Sequence, residues 1–394
     1  MRITFLTTQI NLKTGGGSNI SPHLKACAMQ KLGHLVKMIT LFPEKNSFID
    51  KPPYSVIESS TRLKNWLMLQ IKIFFVLKKY ENDCDIFAFE GEHFIWGIGL
   101  YKMLRGKNPA LLHFNGPIFS IYEHGATYNA KTIPKKSFRS KTSSYLRIKF
   151  EKNIGVKLAN NIDFFTADSP LIKKWHEEFG FKPEKIMVLP AFVDLEPFLK
   201  ETSTEYKLPK DNINLLYVGR LVPEKGIDTL LDALHEMNNN KVITYIVGHG
   251  PEKEKLVILT EKYKLDKNVI FYPWSDKKTL NDLYHCADIF VHPARWAEPL
   301  GLTVIEAMAS GLPVIVPEIS GSSWAAGEGG LAFKNGDVRD LKEKIEKLIN
   351  DRNLRKNLAE KAKERAKEFD YRNSIGKLEN ILQNLIIKNK HRTF

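Results

Sequence analysis

WAEPLGLTVIEAMASGLPVIVP, residues 296–317, joins a tight loop, a short apolar helix and a strand in one run. Pro299-Leu-Gly-Leu-Thr303 reads as the loop, the helix starts near Leu302 and stops at Gly311, and Pro313–Ile319 follows as a strand. Glu298 then lies in the loop. Glu306, with seven residues between the two carboxylates, lies about one turn into the helix at ~3.6 residues per turn. The amides of Gly301, Leu302 and Thr303 are the first N–H groups of that helix and have no intrahelical partner. A helix start with bare amides attracts an anion, and carboxylates beside it suit a ligand rich in hydroxyls. A phosphate attached to a sugar meets both requirements.

The remainder of the chain is built to match. With 394 residues it exceeds what one core usually serves, so two domains are expected. A hydrophobic fraction of 43% and a charged fraction of 26% describe a globular protein, not a disordered or fibrous one. Cys27, Cys84 and Cys286 are far apart and lack the spacing of a zinc site, which points to a reducing compartment. The opening MRITFLTTQI reads as a strand and not as a signal peptide, and no uncharged run approaches the ~20 residues that span a bilayer. A cytoplasmic protein is expected. The charge is lopsided: residues 1–200 carry 29 Lys+Arg against 17 Asp+Glu, and residues 201–394 carry 30 against 28. The first half therefore faces something anionic: nucleic acid, an acidic membrane surface or a phosphorylated acceptor would each do.

In chain order, RITFLT (2–7) is a first buried strand, followed by the loop Gly15-Gly16-Gly17, a helix from about Ser21 to Lys31, and a strand over 34–42. Strand, glycine loop, helix and strand form the opening of a doubly wound sheet. DIFAFE (85–90), ALLHFNG (110–116), DFFTADS (163–169) and KIMVLPAFVD (185–194) supply further strands. Asp83-Cys84-Asp85 precedes a strand, the end away from ligands, and reads as a turn and not a metal clamp. His113 and Asn115 leave ALLHF at the ligand-facing end, which gives His113 a role there. LKNWLMLQIKIFFVLKKY (63–80) is expected to be a buried helix with snorkelling lysines, the alternative being a helix lying on a membrane. Residues 131–157 are dense in Lys and Arg, with an acceptor or membrane contact weighed against a solvated face.

Residues 1–195 are thus a first domain, 196–212 a linker, 213–372 a second domain, and 373–394 a helix that packs back on the first. The second half repeats the pattern with strands in 213–219, 245–252, 268–274, 289–293 and 313–319. Gly219 ends its first strand. Arg220 follows it and Lys225 precedes the next helix, so both cations are available to an anion at the strand's carboxyl end.

Those residues carry a family resemblance. HFNGPI (113–118), YVGRLVPEKGIDTLLDAL, VGHGPE and DLYHCADIFVHPARWAEPLGLTVIEAMASGLPVIV resemble the GT-B-fold retaining glycosyltransferases of family 4, the glycosyl transferases group 1. The resemblance covers nearly the whole chain. It implies an α/β fold of two Rossmann-like doubly wound domains facing a central cleft. It implies that Arg220 and Lys225 hold the diphosphate of a nucleotide-sugar donor, that Glu306 binds the ribose, and that Glu298 contacts the transferred sugar. Gly301, Leu302 and Thr303 match the phosphate-binding helix start, His113 the histidine near the reacting centre, and Gly16 and Gly17 the loop near donor and acceptor.

The implied reaction moves a hexose-type sugar from a UDP- or GDP-sugar to a hydroxyl of a glycan or lipid-linked acceptor, with retention. It needs no metal and no cofactor, because cations and a helix start offset the charge on the leaving diphosphate. The resemblance implies an acceptor in cell-envelope or exported-polysaccharide synthesis, and a cytoplasmic protein peripheral on the inner face of the cell membrane is expected. The chain departs from the family at Ala191-Phe192-Val193-Asp194 and at Gly321-Ser322-Ser323-Trp324, where a Gly-x-Pro-Glu turn is usual. A GT-B-fold nucleotide-sugar epimerase would use the same phosphate groups with acid/base carboxylates in the first domain, and a non-catalytic nucleotide-sugar-binding protein would lack Arg220 or Lys225. No nucleic-acid motif is present in the sequence.

Overall fold

The computed structural model describes residues 1–12, 17–42, 51–59, 65–119, 145–200, 208–209, 211–273, 275 and 277–392. These divide into two compact units, one holding Met1 through Val193 together with the helix from Tyr371, the other Asp194–Asp370.

The first unit is built on a seven-stranded parallel sheet. Its strands are β1 (Arg2–Thr7), β2 (Leu35–Thr40), β3 (Ser55–Glu58), β4 (Ile86–Glu90), β5 (Ala110–Phe114), β6 (Phe164–Ala167) and β7 (Ile186–Val188). Their order in the sheet is β3-β2-β1-β4-β5-β6-β7. β4 and β5 are buried at every residue, as expected of strands covered on both faces, and they read as unbroken apolar runs for that reason. One face is covered by helices 66–80, 95–103 and 170–179, which pack Ile73, Leu77, Ile98 and Ile172 against Phe87, Leu112 and Phe165. The other is covered by helices 17–31 and 371–392, which contribute Ala26, Met29, Leu378, Ile381, Leu382 and Leu385 to one cluster with Ile3, Phe5 and Met38. Tyr371 N donates to Val193 O at 2.9 Å where the last helix rejoins this unit.

The second unit has a six-stranded parallel sheet in the order β10-β9-β8-β11-β12-β13. The strands are β8 (Ile213–Val218), β9 (Val242–Val247), β10 (Val269–Tyr272), β11 (Ile289–Val291), β12 (Val314–Pro317) and β13 (Gly330–Phe333). Helices 227–237, 338–350 and 352–366 bury Leu230, Leu234, Leu341, Ile345 and Leu358 against this sheet. Leu195 N donates to Asp370 Oδ2 at 3.3 Å, which closes the unit where the chain enters and leaves it.

Some local expectations change. The first helix begins at Gly17 and not near Ser21, so Pro22 lies inside it. The strand expected over 185–194 stops at Val188, ahead of Pro190, whose ring locks φ and removes a donor. Two strands went unforeseen: β3 is a four-residue edge, and β13 is the glycine-led GLAF. Part of the expected linker is the helix Glu196–Leu199. Arg2 pairs with Asp85 at 2.8 Å, consistent with Asp83–Asp85 as a turn bracing the sheet. Helix 66–80 is only half buried, contrary to the buried helix expected: its Leu69, Ile73, Val76 and Leu77 face the core, but Leu67, Met68, Ile71 and Phe75 do not.

Candidate functional site

In the second sheet β8 and β11 are neighbours, and the strand order runs outward from them in both directions. An open parallel sheet leaves a crevice beyond the carboxyl ends of its strands at such a point. From β8 the chain passes Gly219 and Arg220, makes the 3-10 turn Pro223–Lys225 and enters helix 227–237. From β11 it passes His292 to Trp296 and reaches Glu298.

Two features hold these segments together. Gly226 sits at φ +65°, and a Cβ there would lie 2.2 Å from Pro293 O, so only glycine lets the turn approach so closely. Arg295 N donates to Glu224 O at 3.0 Å, and its guanidinium reaches Asp228 at 2.8 Å and Thr229 Oγ1 at 3.0 Å. The turn is thereby fixed with the Lys225 ammonium on the Glu298 carboxylate.

Glu298 Oε2 accepts from Lys225 Nζ and from Trp296 Nε1, the latter at 2.9 Å, and His292 Nε2 lies 3.5 Å away. The Lys225 and Glu298 side chains are 12% and 14% exposed, so their attraction is little screened by water. Burial pushes the Glu298 carboxyl up, but Lys225 and His292 together pull it further down, and it ends well below the ordinary carboxylate range. Burial lowers the His292 imidazolium, and Lys225 adds to that against the pull of Glu298, so the ring is neutral at pH 7. Tyr217, fully buried, is held protonated by burial and then by the charge of Glu298, and its hydroxyl donates to Arg220 O at 2.9 Å. Arg220 itself is exposed, and its guanidinium makes no hydrogen bond or ion pair among the described residues.

The loop after Glu298 is seated on helix 321–326. Gly321 N donates to Glu298 O at 2.6 Å, and a Cβ on Gly321 would lie 1.7 Å from Pro299 O. That helix is capped by Ser320 Oγ, which accepts from Ser323 N at 3.0 Å. The stretch that departs from the family turn is thus the platform of the loop. Gly301, at φ +84°, starts the helix Leu302–Ala309, and no partner is present for the amides of Gly301, Leu302 and Thr303 among the described residues. Glu306 follows on this helix, with the hydroxyl of the fully buried Tyr284 donating to its Oε2 at 3.0 Å. Burial, and then the charge of Glu306, keeps Tyr284 protonated and so a donor.

In the first unit, His113 on β5 is buried, with Nδ1 2.9 Å from Thr166 Oγ1 and Nε2 3.0 Å from Asp168 Oδ1. The neighbouring strand places Glu90 opposite His113. Glu90 is held by the buried Lys25 ammonium at 2.9 Å. Gly17 opens the first helix, while Gly16, Trp274 and the basic residues 131–144 lie outside the described residues.

The structure therefore joins Lys225 to Glu298, sets Glu306 one turn from the bare amides, leaves Arg220 exposed, and holds His113 in the other unit. The sequence reading missed His292, Tyr217, Tyr284 and the Asp168–His113 and Lys25–Glu90 pairs. His292 follows β11 as His113 ends β5, so the same end-of-strand argument would have found it. The two tyrosines sit among apolar neighbours and gave no signal.

Two family models match the chain in succession: Glycosyltransferase Family 4 over residues 15–197, and Glycosyl transferases group 1 over residues 200–365. The chain is 24% identical over 331 residues to alpha-monoglucosyldiacylglycerol synthase of Acholeplasma laidlawii, covering 79% of this chain and 76% of that one. The first curated relatives it matches are spanned over 71% and 32% of their own lengths. Among solved structures it resembles sucrose-phosphate synthase from Thermosynechococcus elongatus, with a TM-score of 0.79 at 21% identity over 98% of this chain and 100% of that one. It also resembles an Anabaena protein in complex with UDP-glucose, with a TM-score of 0.74 at 18% identity and the same coverage. These likenesses show the GT-B fold.

Proposed function

The chain belongs to the GT-B glycosyl transferases group 1, and from that premise we propose that it is a retaining, metal-independent hexosyltransferase. It takes a UDP- or GDP-sugar as donor and a hydroxyl of a glycan or lipid-linked acceptor, in cell-envelope or exopolysaccharide synthesis on the cytoplasmic face of the membrane. The observation that carries this reading is the Lys225–Glu298 pair beside neutral His292, within one loop of unpartnered helix-start amides. The Anabaena neighbour's complex with UDP-glucose and the lipid named by the Acholeplasma relative support the donor and acceptor classes.

The chemistry follows from the residue types. The bond from the anomeric carbon to the diphosphate oxygen breaks, and the acceptor oxygen bonds to that carbon on the same face. The acceptor's proton passes to the departing phosphate oxygen. Arg220, Lys225 and the amides of residues 301–303 receive the growing negative charge. Lys225 has three N–H donors and uses one on Glu298, so the others remain for the diphosphate. Glu298, ionised at any working pH, accepts hydrogen bonds from sugar hydroxyls, and Glu306, steadied by Tyr284, accepts from the ribose. His113, oriented by Asp168, serves the reacting sugar.

One observation favours a second reading. Glu90, His113 and Asp168 gather at adjoining strand ends of the first unit, which is the acid/base equipment a nucleotide-sugar epimerase requires. Both carboxylates are already tied, one to Lys25 and the other to His113, which makes this the weaker reading.

The test is nucleotide release from a panel of UDP-, GDP- and ADP-sugars without acceptor, beside a Glu306→Ala variant. Slow release from one donor, lost in the variant, is the expected result. An isomerised donor without release would favour the epimerase, and a panel with neither turnover nor binding would overturn the donor reading.

A further inference from the structure

Helix 66–80 presents an outward stripe at four-residue spacing, Leu67, Ile71, Phe75 and Lys79. Phe75 is 63% exposed, Leu67 48% and Ile71 41%, with Met68 beside them at 49%. Single exposed apolar residues are ordinary, but four on one face of one helix are not. The stripe runs for about 18 Å at 1.5 Å per residue.

A second helical segment adjoins its amino end. Trp66 meets Phe150 at 5.2 Å between ring centroids, and the Arg147 guanidinium lies 5.7 Å from the Trp66 ring. That segment carries Leu146 at 61% exposure and Ile154 at 56%. Its Lys149 and Lys152 are exposed, and its acid, Glu151, is fully buried and paired with Arg147. Helix 66–80 contains no acidic residue and carries Lys78 and Lys79 in its last turn.

We propose that this two-helix surface is where the protein lies on an anionic lipid bilayer, with Leu67, Ile71 and Phe75 sunk into the interface and Lys79, Lys149 and Lys152 at headgroup level. The inference rests on the proposed membrane-side acceptor and names the surface that meets the membrane. Charge selects the occupant. The patch is cationic with no exposed acid on these two segments, so a second copy would bring like charge against like. A fluid interface receives protruding apolar side chains without needing a matching shape, and lysines around them reach the headgroups.

Sedimentation of the full chain with phosphatidylcholine vesicles, with and without phosphatidylglycerol, tests this. Binding is expected only with the anionic lipid, weakening as salt is raised. Ile71→Ser with Phe75→Ser should weaken it about tenfold, from the apolar area withdrawn. Lys149→Glu with Lys152→Glu should weaken it and flatten the salt dependence. Thermal unfolding and nucleotide release in solution check that each variant is folded and active. Absence of binding to the anionic vesicles, or binding that the serine pair leaves unchanged, overturns the proposal. So does concentration-dependent self-association, or capture of an acidic protein, that the serine pair abolishes while vesicle binding persists. Donor turnover without vesicle binding defeats this inference and leaves the function standing; vesicle binding without donor turnover or binding does the reverse.

Discussion

Replacing Lys225 by methionine leaves the Glu298 carboxylate almost as buried as before and removes its only cationic partner among the described residues. Breaking a buried pair by deleting one member costs about 3–5 kcal/mol. The low end applies here, since Trp296 Nε1 still donates to Glu298 and His292 stays 3.5 Å away. At about 2–4 °C per kcal/mol, a loss of ~3 kcal/mol lowers the unfolding midpoint of the second unit by roughly 6–12 °C. The pH dependence carries the sharper signature. In the parent protein the Glu298 carboxyl is held far below its ordinary value, so its stabilisation is fully present above the unfolded carboxyl pKa of ~4.3 and declines only below that. Between pH 7 and 5 this group contributes no slope. In the variant burial is left without its main opponent, the folded pKa rises above the unfolded one, and the penalty present at pH 7 is relieved as pH falls. A proton taken up by Glu298 or by neighbouring His292 relieves the same lone charge. The gap between variant and parent, followed by circular dichroism melting, should therefore narrow from pH 7 to pH 5. Adding Glu298→Gln to Lys225→Met should restore much of the midpoint at pH 7. A gap under about 1 kcal/mol, constant with pH and unimproved in the double variant, would refute the reasoning.

Three further outcomes follow from the site. Tyr284→Phe removes the hydroxyl that orients Glu306; it should cost about 1 kcal/mol of stability and weaken binding of the preferred nucleotide about tenfold, and unchanged calorimetric affinity would count against that orienting role. Gly321→Ala puts a Cβ 1.7 Å from Pro299 O and should abolish donor turnover with a clear drop in melting temperature, whereas Gly376→Ala, with nothing within 4 Å, should leave both intact or raise stability. Asp168→Asn, which alters the partner of His113 Nε2, should lower the rate of sugar transfer by about a hundredfold with little change in donor affinity; an equal loss in affinity would make the pair a binding element.

Both doubly wound sheets were readable because strands such as IFAFE and ALLHF are buried on two faces and appear as uninterrupted apolar runs between helical patterns. β3 escaped notice because an edge strand of four residues, exposed at both ends, presents no such run. The loop and helix around Glu298 and Glu306 were legible from proline, glycine and carboxylate positions, since those residue types constrain the backbone locally. The direct Lys225–Glu298 contact was not, because it joins positions 73 residues apart through Gly226 and Arg295. Gly321-Ser322-Ser323-Trp324 looked like a lost turn and is a capped helix, its role set by contact with Pro299 and not by its own pattern. Helix 66–80 was misjudged for a related reason: its composition is apolar on both sides, and only the packing reveals that Phe75 faces outward.

The last helix also sets an order on the protein's birth. Leu378, Ile381, Leu382 and Leu385 complete a cluster whose other members, from Ile3 and Phe5 to Leu189 and Phe192, all precede the second unit in the chain. A ribosome releases those four side chains only after every residue of Asp194–Asp370 has been made. Until then helix 17–31 alone covers that face of the amino-terminal sheet, while the second unit, begun later, has all its residues and can close first. The second unit can thus be completed before the first, against the usual amino-to-carboxyl order. During that interval the apolar flank of helix 17–31 and β4, which the last helix later covers, is the surface a nascent-chain chaperone would have to cover.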